Sequence, residues 1–230
     1  MPESGLLIVG SGGFGREAAQ AAADGGFSGP VLGFLDDDPA LAGREVAGHR
    51  VLGPVADLHE YPHAKVLVAT GRPDAYTSRA AIVDRLDLPA DRFATVVHPA
   101  AHLAGDTRVG PGCVILAGVV CTAGVRIGAH VAVMPHVVLT HDVQVADFAT
   151  LASGVALAGG VQVGEGAYLG AATSVRQELT IGEWALTGMG SLVLTDVPAH
   201  RMWFGSPAVD RGPAPATGFE RARGRQEGSA

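Results

Sequence analysis

Every sixth residue from Val97 to Val193 is aliphatic, with only two exceptions and no insertion. These positions are Val97, Leu103, Val109, Ile115, Cys121, Ile127, Val133, Leu139, Val145, Leu151, Leu157, Val163, Leu169, Val175, Ile181, Thr187 and Val193. The residues two positions earlier are small or β-branched, except Leu179. Because six is a multiple of the two-residue strand period, each hexapeptide can form a short strand and a corner with the same side chains directed inward. The pattern predicts a coiled β-solenoid.

Glycine follows the aliphatic position at Gly110, Gly128, Gly164 and Gly182, and alanine stands at the corresponding position 146. A small residue therefore recurs every eighteen residues. Three hexapeptides therefore form one three-sided coil, and coils stack at about the 4.8 Å spacing of neighbouring strands. A narrow core of this kind suits a chain with 33 glycines and 5% aromatic residues.

The first 95 residues follow a different pattern. Residues 6–9, 31–35 and 66–70 are predicted to be buried strands, and residues 16–23 and 74–86 to be helices. Strands alternating with helices favour a small parallel α/β sheet. We expect a Rossmann-like domain at 1–95 and a solenoid at 96–210. Residues 211–230 combine glycine, proline and charges without periodicity, which predicts a disordered tail.

A glycine-rich turn joins the first strand to the first helix. Gly10, Gly12 and Gly15 match G-x-G-x-x-G, Gly13 lies between them, and Asp36 follows the second predicted strand. Backbone amides of such a turn can bind phosphate, and the carboxylate can accept hydrogen bonds from a ribose or base. About ninety residues hold one mononucleotide-binding half, so we expect a nucleotide-sized ligand rather than NAD. A turn that serves only helix packing is the alternative interpretation.

Composition excludes several classes of function. Sixteen Lys and Arg against 23 Asp and Glu give a formal charge of −7 without a basic cluster, so nucleic-acid binding is not expected. The first apolar run is too short for a signal peptide or a membrane span, which predicts a soluble cytoplasmic protein. Cys113 and Cys121 are expected to be reduced residues of the core.

The solenoid resembles the left-handed parallel β-helix of hexapeptide-repeat acyltransferases. Its end, Gly205-Ser206-Pro207-Ala208, is similar to the Gly-Asn-Pro-Ala segment that closes that domain, with serine in place of asparagine. Joined to the amino-terminal half-domain, it resembles the sugar acetyltransferases that modify nucleotide-linked amino sugars or sialic acid. The resemblance implies a homotrimer, acetyl-CoA as co-substrate, a nucleotide-sugar acceptor and no metal.

The resemblance also assigns roles to single residues. His141-Asp142 is similar to the segment that carries the proposed catalytic histidine of the subfamily, with Thr140 in place of a first acid. Gly159 lies one coil later, since 141 + 18 = 159, and its amide is expected to stabilise the oxyanion. His141 would act as general base towards the acceptor, and Asp142 would orient its imidazole or hold the charge of the acceptor. Cofactor contacts are expected at Thr150, Gly159, Gly160, Ser206 and Pro207. Two of the subfamily's usual histidines are absent, being replaced by Phe14 and Thr150.

Three alternatives remain open from the sequence. The acceptor group can be a hydroxyl, as in sialic acid O-acetylation. His136 and His141 also resemble the histidine pair of γ-type carbonic anhydrases, but the third ligand is out of register, because Ala100 occupies the position two coils before His136. A noncatalytic scaffold would explain the solenoid and leave His141 without a role.

Overall fold

The computed structural model describes residues 4–215. The helices and strands of the amino-terminal domain are β1 (Leu6–Val9), α1 (Gly13–Ala21), β2 (Val31–Leu35), β3 (Glu45–Val46), β4 (His49–Gly53), β5 (Lys65–Val68) and α2 (Ser78–Leu86). A π-helical turn over Ala22–Gly26 and two 3-10 helices, Val55–Glu60 and Ala90–Arg92, complete it. Within the described range, no helix has the length and apolar character needed to cross a membrane.

The amino-terminal strands form one sheet in the order β3-β4-β2-β1-β5. Strands β4, β2, β1 and β5 are parallel, whereas β3 and β4 form an antiparallel hairpin. The chain moves outward from β1 to β4 and then returns to the other side of β1, so the strand order reverses between β1 and β5. In open α/β sheets, ligands bind beside the carboxyl ends of the strands at this reversal.

The three predicted strands of this domain are confirmed, and the β3-β4 hairpin was not predicted. The second helix begins at Ser78 rather than at residue 74. Asp74 instead lies in the preceding turn, where its carboxylate contacts Arg72 at 2.8 Å. The helix therefore begins four residues later than predicted.

The solenoid consists of two-residue strands separated by corners. They are β6 (Val96–Val97), β7 (His102–Leu103), β8 (Arg108–Val109), β9 (Val114–Ile115), β10 (Val120–Cys121), β11 (Arg126–Ile127), β12 (Ala132–Val133), β13 (Val138–Leu139), β14 (Gln144–Val145), β15 (Thr150–Leu151), β16 (Ala156–Leu157), β17 (Gln162–Val163), β18 (Tyr168–Leu169), β19 (Ser174–Val175), β20 (Thr180–Ile181), β21 (Leu186–Thr187) and β22 (Leu192–Val193). Strands pair in parallel with a shift of eighteen residues, as in Cys121 beside Leu139. The predicted period of three hexapeptides per coil is confirmed.

The prism has three faces with different surfaces. The covered face contains β6, β9, β12, β15, β18 and β21, and the amino-terminal domain packs against it. The apolar face contains β7, β10, β13, β16, β19 and β22, and presents Val120, Val138 and Ala156 outward. The polar face contains β8, β11, β14, β17 and β20. Its outward residues are all exposed: Arg108, Arg126, Gln144, Gln162 and Thr180.

The core follows the predicted inward positions. Val137 and Leu139 are fully buried, as are the corresponding residues of neighbouring coils, and Cys113 and Cys121 belong to the same cluster. Burial raises the pKa of the Cys113 thiol to about 12, which keeps it protonated. Between residues 112 and 190, the second residue of every corner adopts a left-handed conformation, as His136 does with φ 62°. This requirement explains the many glycines at corners.

The two domains share a hydrophobic core. Ala18 and Ala22 of the first helical segment pack in one cluster with Val96 and Val114 of the covered face. The side chain of Arg79, from α2, also reaches the solenoid and donates to the backbone oxygen of His130 at 2.7 Å. The amino-terminal domain is therefore held on the solenoid by both apolar and polar contacts.

A hairpin of β23 (Arg201–Gly205) and β24 (Ala208–Pro213) ends the described chain. β23 continues the covered face beside β21, and Trp203 packs against the solenoid core. The sequence prediction of a disordered tail from residue 211 was wrong at its start, because Arg211 to Pro213 complete the hairpin and Arg201 bonds to Asp210. Residues 216–230 of the predicted tail lie outside the described residues.

Candidate active site

His141 and Asp142 form a corner between β13 on the apolar face and β14 on the polar face. Asp142 takes the left-handed conformation of the second corner position, with φ 60°. Its Oδ2 lies 3.0 Å from Nδ1 of His141, and the two side chains are 68% and 74% exposed. Because an ionised carboxylate only accepts hydrogen bonds, Nδ1 carries the proton in this contact and the Nε2 lone pair is left for a substrate.

Gly159 occupies the same corner one coil later and lies directly against the imidazole. A Cβ built on Gly159 would be 2.3 Å from both Nε2 and Cε1 of His141. Any side chain at Gly159 would therefore displace the ring. The backbone here is held by the coil-to-coil bond from the Gly160 amide to the His141 carbonyl oxygen, at 2.9 Å.

The amide of Gly159 donates no hydrogen bond to any of the described residues, unlike that of Gly160. It is thus an unpaired backbone donor in the residue that lies against the His141 ring. A free N–H next to a free imidazole nitrogen is the arrangement that acyl transfer needs, since one group binds the developing oxyanion while the other accepts a proton.

A groove of about 550 Å³ runs over this corner. It is lined by Thr140, His141, Asp142, Ala158, Gly159, Gly160, Gln177 and Glu178. The charged members are the carboxylates Asp142 and Glu178, and no Lys or Arg lines the groove. Thr140, which replaces an acid of the subfamily pattern, donates its hydroxyl to the backbone oxygen of Leu157 at 3.0 Å. The groove therefore combines the predicted catalytic trio with a negatively charged rim.

The glycine turn lies at the carboxyl end of β1, where the strand order reverses. Gly10 has φ 96°, and a Cβ on Gly15 would be 1.9 Å from the Gly10 oxygen, so both glycines are required by the backbone. Gly12 differs, because a Cβ there would meet no atom within 4 Å. Gly12 and Gly13 are exposed at the start of α1, where backbone N–H groups favour an anion.

Asp36 is bound to the glycine turn itself. Its Oδ2 accepts hydrogen bonds from the Ser11 amide at 2.8 Å and the Ser11 hydroxyl at 2.7 Å, and Oδ1 accepts from the Asp38 amide. Partial burial raises the pKa of the Asp36 carboxyl, but these hydrogen bonds outweigh that effect and hold the pKa below its usual value. Asp36 thus fixes the shape of the turn in addition to any contact with a ligand.

Three predicted cofactor residues lie away from the groove. Thr150 is 5% exposed on the covered face, and its hydroxyl oxygen accepts a 2.8 Å hydrogen bond from Arg79. Thr150 does not line this groove, and its contact with CoA stays a prediction. Ser206 and Pro207 are exposed in the turn of the final hairpin and do not line the groove in this chain. Their contact with the cofactor stays a prediction.

His136 and His141 do not form a pair. They occupy corners at opposite edges of the apolar face, and the His136 ring lies against Gly118 of the preceding coil whereas the His141 ring lies against Gly159 of the following coil. Among residues 4–215, no group of three or more His, Cys, Asp or Glu is arranged to hold a metal. The geometry therefore does not favour the carbonic anhydrase interpretation.

Arg79 is the residue that sequence reasoning missed. It is 1% exposed and donates to carbonyl oxygens of Thr70, His130, Phe148 and Ala149. Nothing in the helical pattern of residues 74–86 distinguishes a buried arginine from a solvated one, because the surface that covers it belongs to the distant solenoid.

These features define the class of protein. The triangular solenoid, with its corner histidine, unpaired glycine amide and open groove, is that of an acyltransferase, as the solved relatives are. Residues 5–86 match the family of PglD N-terminal domains. No curated protein matches the sequence.

Solved structures extend the match to 91% of the chain. A histidine-to-asparagine variant of perosamine N-acetyltransferase from Caulobacter crescentus, in complex with CoA and GDP-perosamine, shows 28% identity and a TM-score of 0.82. The alignment covers 91% of this chain and 97% of that chain. The acetyltransferase domain of PglB from Neisseria gonorrhoeae FA1090, in complex with acetyl coenzyme A, shows 25% identity and a TM-score of 0.80, covering 91% and 100%.

Over most of its length the chain is similar to hexapeptide-repeat sugar acetyltransferases. Its predicted fold class, an α/β Rossmann-like half-domain followed by a left-handed parallel β-helix, is confirmed.

Proposed function

We propose that this protein transfers the acetyl group of acetyl-CoA to the amino group of a nucleotide-linked amino sugar. The observation that carries the proposal is the meeting of His141, Asp142 and the free Gly159 amide at one corner of the groove. The solved relatives support the co-substrates, since one contains CoA with GDP-perosamine and another contains acetyl coenzyme A. In this scheme residues 1–95 bind the acceptor and residues 96–210 carry out the transfer.

His141 acts as the general base. Its Nδ1–H donates to Asp142, so Nε2 accepts the proton of the amine as the nitrogen attacks the thioester carbonyl. A new C–N bond forms, the C–S bond breaks, and the proton held by Nε2 passes to the departing CoA thiolate. No side chain of the enzyme becomes acylated.

Gly159 stabilises the charge that develops on the carbonyl oxygen. Its amide has no acceptor among the described residues, and the missing side chain lets the imidazole of His141 lie against this backbone. Removing one such donor typically reduces kcat by about 10² to 10³. Gly160 lies beside it with its amide bound to the His141 oxygen, so it holds the corner and gives the cofactor a surface without side chains.

The charge of the groove favours an amine acceptor. Asp142 and Glu178 line it without an opposing Lys or Arg, so an ammonium group is attracted and an acidic sugar is repelled. Acceptors of the sialic acid type carry a carboxylate. The groove therefore supports N-acetylation of an amino sugar over O-acetylation of an acidic one.

The nucleotide part of the acceptor binds at the glycine turn. Gly12 and Gly13 are exposed at the start of α1, and this turn borders the reversal between β1 and β5. Phosphate oxygens can approach the N–H groups there because Gly12 has no side chain and no neighbouring atom in the way.

A homotrimer explains how the two halves of the site meet. The glycine turn lies over the covered face. His141 lies at the corner of the prism that does not border this face. One six-residue side of the prism, roughly 15 to 20 Å long, therefore separates His141 from the covered face. The apolar face presents Val120, Val138 and Ala156 outward, and Met189 near its end is 80% exposed. Packing of these faces around a threefold axis would bring the acceptor site of one protomer towards His141 of its neighbour.

The test is the His141→Asn variant, assayed at saturating acetyl-CoA with UDP-, GDP-, CMP- and TDP-linked amino sugars. Loss of the base should reduce kcat by about 10² to 10⁴, with little change in acetyl-CoA affinity. His136→Asn is the matched control at the neighbouring corner and should retain wild-type kcat. Retention of more than a tenth of kcat by His141→Asn, in a folded trimer, would remove His141 from the mechanism.

A further inference from the structure

A small cavity lies between the two domains, at the bottom of the crevice where the strand order reverses. It measures about 140 Å³, room for roughly four or five waters at about 30 Å³ each, so it holds one small group and not a nucleotide. Phe14 of the glycine-turn helix and Gly71 of the loop after β5 form its two sides, and the covered face forms its floor. The lining residues are Phe14, Gly71, Arg79, Ala132, Met134, Thr150, Ala152, Ser153, Tyr168 and Ala171.

Arg79 brings a buried positive charge to this cavity without an acid to balance it. The guanidinium is 1% exposed and its acceptors are four carbonyl oxygens and the Thr150 hydroxyl, all neutral. Burial lowers the pKa of Arg79 to about 10, so the group stays charged at neutral pH. Buried charges are ordinarily paired, so a cavity beside this guanidinium is suited to an anion.

Two hydrogen-bond donors beside the cavity have no acceptor among residues 4–215. The five N–H groups of the guanidinium include two on Nη1, and Nη1 bonds only to the Thr70 oxygen. Thr150 uses its oxygen to accept from Nη2, which leaves its own O–H to donate. A Cβ on Gly71 would be 3.0 Å from Nη1 and 3.9 Å from the Thr150 hydroxyl oxygen. The absence of a side chain at Gly71 therefore leaves these two donors accessible from the crevice.

We infer that this cavity is an oxyanion subsite, in which Arg79 Nη1 and the Thr150 hydroxyl donate to a phosphoryl group of the nucleotide acceptor. The inference rests on the proposed function and adds two recognition residues to it. A phosphoryl group fits because the N-terminus of α1, where the diphosphate binds in the proposal, carries Phe14 into the same cavity. A carboxylate on an acidic sugar could accept the same two hydrogen bonds.

The experiment compares Thr150→Val with Thr150→Ser, because valine keeps the shape and removes the hydroxyl whereas serine retains it. Binding of GDP, UDP, pyrophosphate and N-acetylneuraminate is measured by calorimetry, together with KM for both substrates. Loss of a hydrogen bond to a charged group should weaken diphosphate binding by about tenfold to a hundredfold in Thr150→Val. Thr150→Ser should stay near wild type, and KM for acetyl-CoA should not change in either variant.

Other outcomes separate the possibilities. Equal diphosphate affinity and equal acceptor KM in wild type and Thr150→Val would overturn the subsite. Loss of affinity confined to N-acetylneuraminate would overturn the phosphoryl assignment in favour of a carboxylate. A purely structural role would change KM for both substrates and lower Tm, and would also overturn the inference. Absence of nucleotide binding and transfer by the wild type would refute the proposed function itself.

Arg79→Lys is a second variant that keeps the charge and loses the fork of donors. It should weaken pyrophosphate binding more than acetyl-CoA binding, because lysine cannot bond the carbonyl oxygens and the ligand together. Unchanged pyrophosphate affinity in a folded Arg79→Lys protein would count against the subsite as well.

Discussion

The imidazole of His141 lies against Gly159 of the next coil, with no room between them for even a methyl group. Two residues eighteen positions apart are therefore in direct contact, because the solenoid places equal corners above one another. Gly159 contributes to the site in two ways: it has no side chain, and its amide has no acceptor. The ring keeps its place only while this corner has no side chain.

Gly159→Ala should reduce kcat by about 10² to 10³, since its methyl group would displace His141 and cover the amide that binds the oxyanion. Steady-state kinetics at saturating substrates measure the loss. The backbone at Gly159 is outside the left-handed region, so alanine should not strain the corner itself.

Gly105→Ala is the matched control for that variant. Gly105 occupies the equivalent corner three coils earlier, and a Cβ there would meet no atom within 4 Å. Its kcat and Tm should equal those of wild type. A Gly159→Ala enzyme with wild-type kcat would show that the contact with His141 has no catalytic consequence.

Asp142→Asn should reduce kcat by about tenfold, less than removal of His141. The carboxylate holds the proton on Nδ1, but the pair is exposed, and exposed pairs contribute little energy. Asparagine tolerates the left-handed conformation of Asp142, so the corner should be retained. The acetyl-CoA KM serves as the internal reference. A kcat loss equal to that of His141→Asn would mean that Asp142 does more than orient the ring.

Two glycines of the amino-terminal turn should respond differently to substitution. Gly12→Val should raise acceptor KM by at least tenfold and leave Tm unchanged, because its side chain enters open space where phosphate would approach. Gly15→Ala should lower Tm, since its Cβ would collide with the Gly10 oxygen. Thermal unfolding and acceptor kinetics distinguish the two. If Gly12→Val keeps the wild-type acceptor KM, the turn serves packing alone.

The sequence predicts the solenoid well because its core depends on local periodicity. Leu139 and its equivalents are buried by the coils directly above and below, so the six-residue pattern contains the information. The same register brings His141 and Gly159 together. Burial of a residue by a domain that is distant in sequence leaves no such local pattern. The hydrogen bond from Arg79 of α2 to Thr150 is an example, because no local pattern of either segment reveals that contact.

Asp36 shows a second limit of sequence reasoning. Its spacing from the glycines indicates a ligand contact, whereas the structure shows it holding Ser11 of the turn. A carboxylate after the second strand suits both roles, because the turn amides and a ribose hydroxyl are alike as donors. The spacing therefore places the Asp36 carboxylate at the glycine turn but does not say which donor it binds.

His130 should make the fold sensitive to acid. It is 6% exposed, its ring stacks on Phe148 at 5.1 Å, and its Nδ1 has no partner among the described residues. Burial and then the charge of Arg79 lower its pKa from 6.5 to about 4, against a weaker opposing effect of Asp147. Between these values the unfolded chain binds a proton that the folded chain does not, so stability falls as pH falls from about 6.5 to about 4.

The size of the effect follows from the same two values. Their difference corresponds to about 3 kcal/mol over the full window, at about 1.4 kcal/mol for each pH unit. Urea unfolding at pH 7 and pH 5 should therefore differ by about 2 kcal/mol from this group alone. His130→Phe should remove that difference, because phenylalanine keeps the stacked ring and already occupies an equivalent left-handed corner at Phe148. His136→Phe, at an exposed corner, should retain the wild-type pH dependence. The same pH dependence in His130→Phe and wild type would show that His130 is not the group responsible.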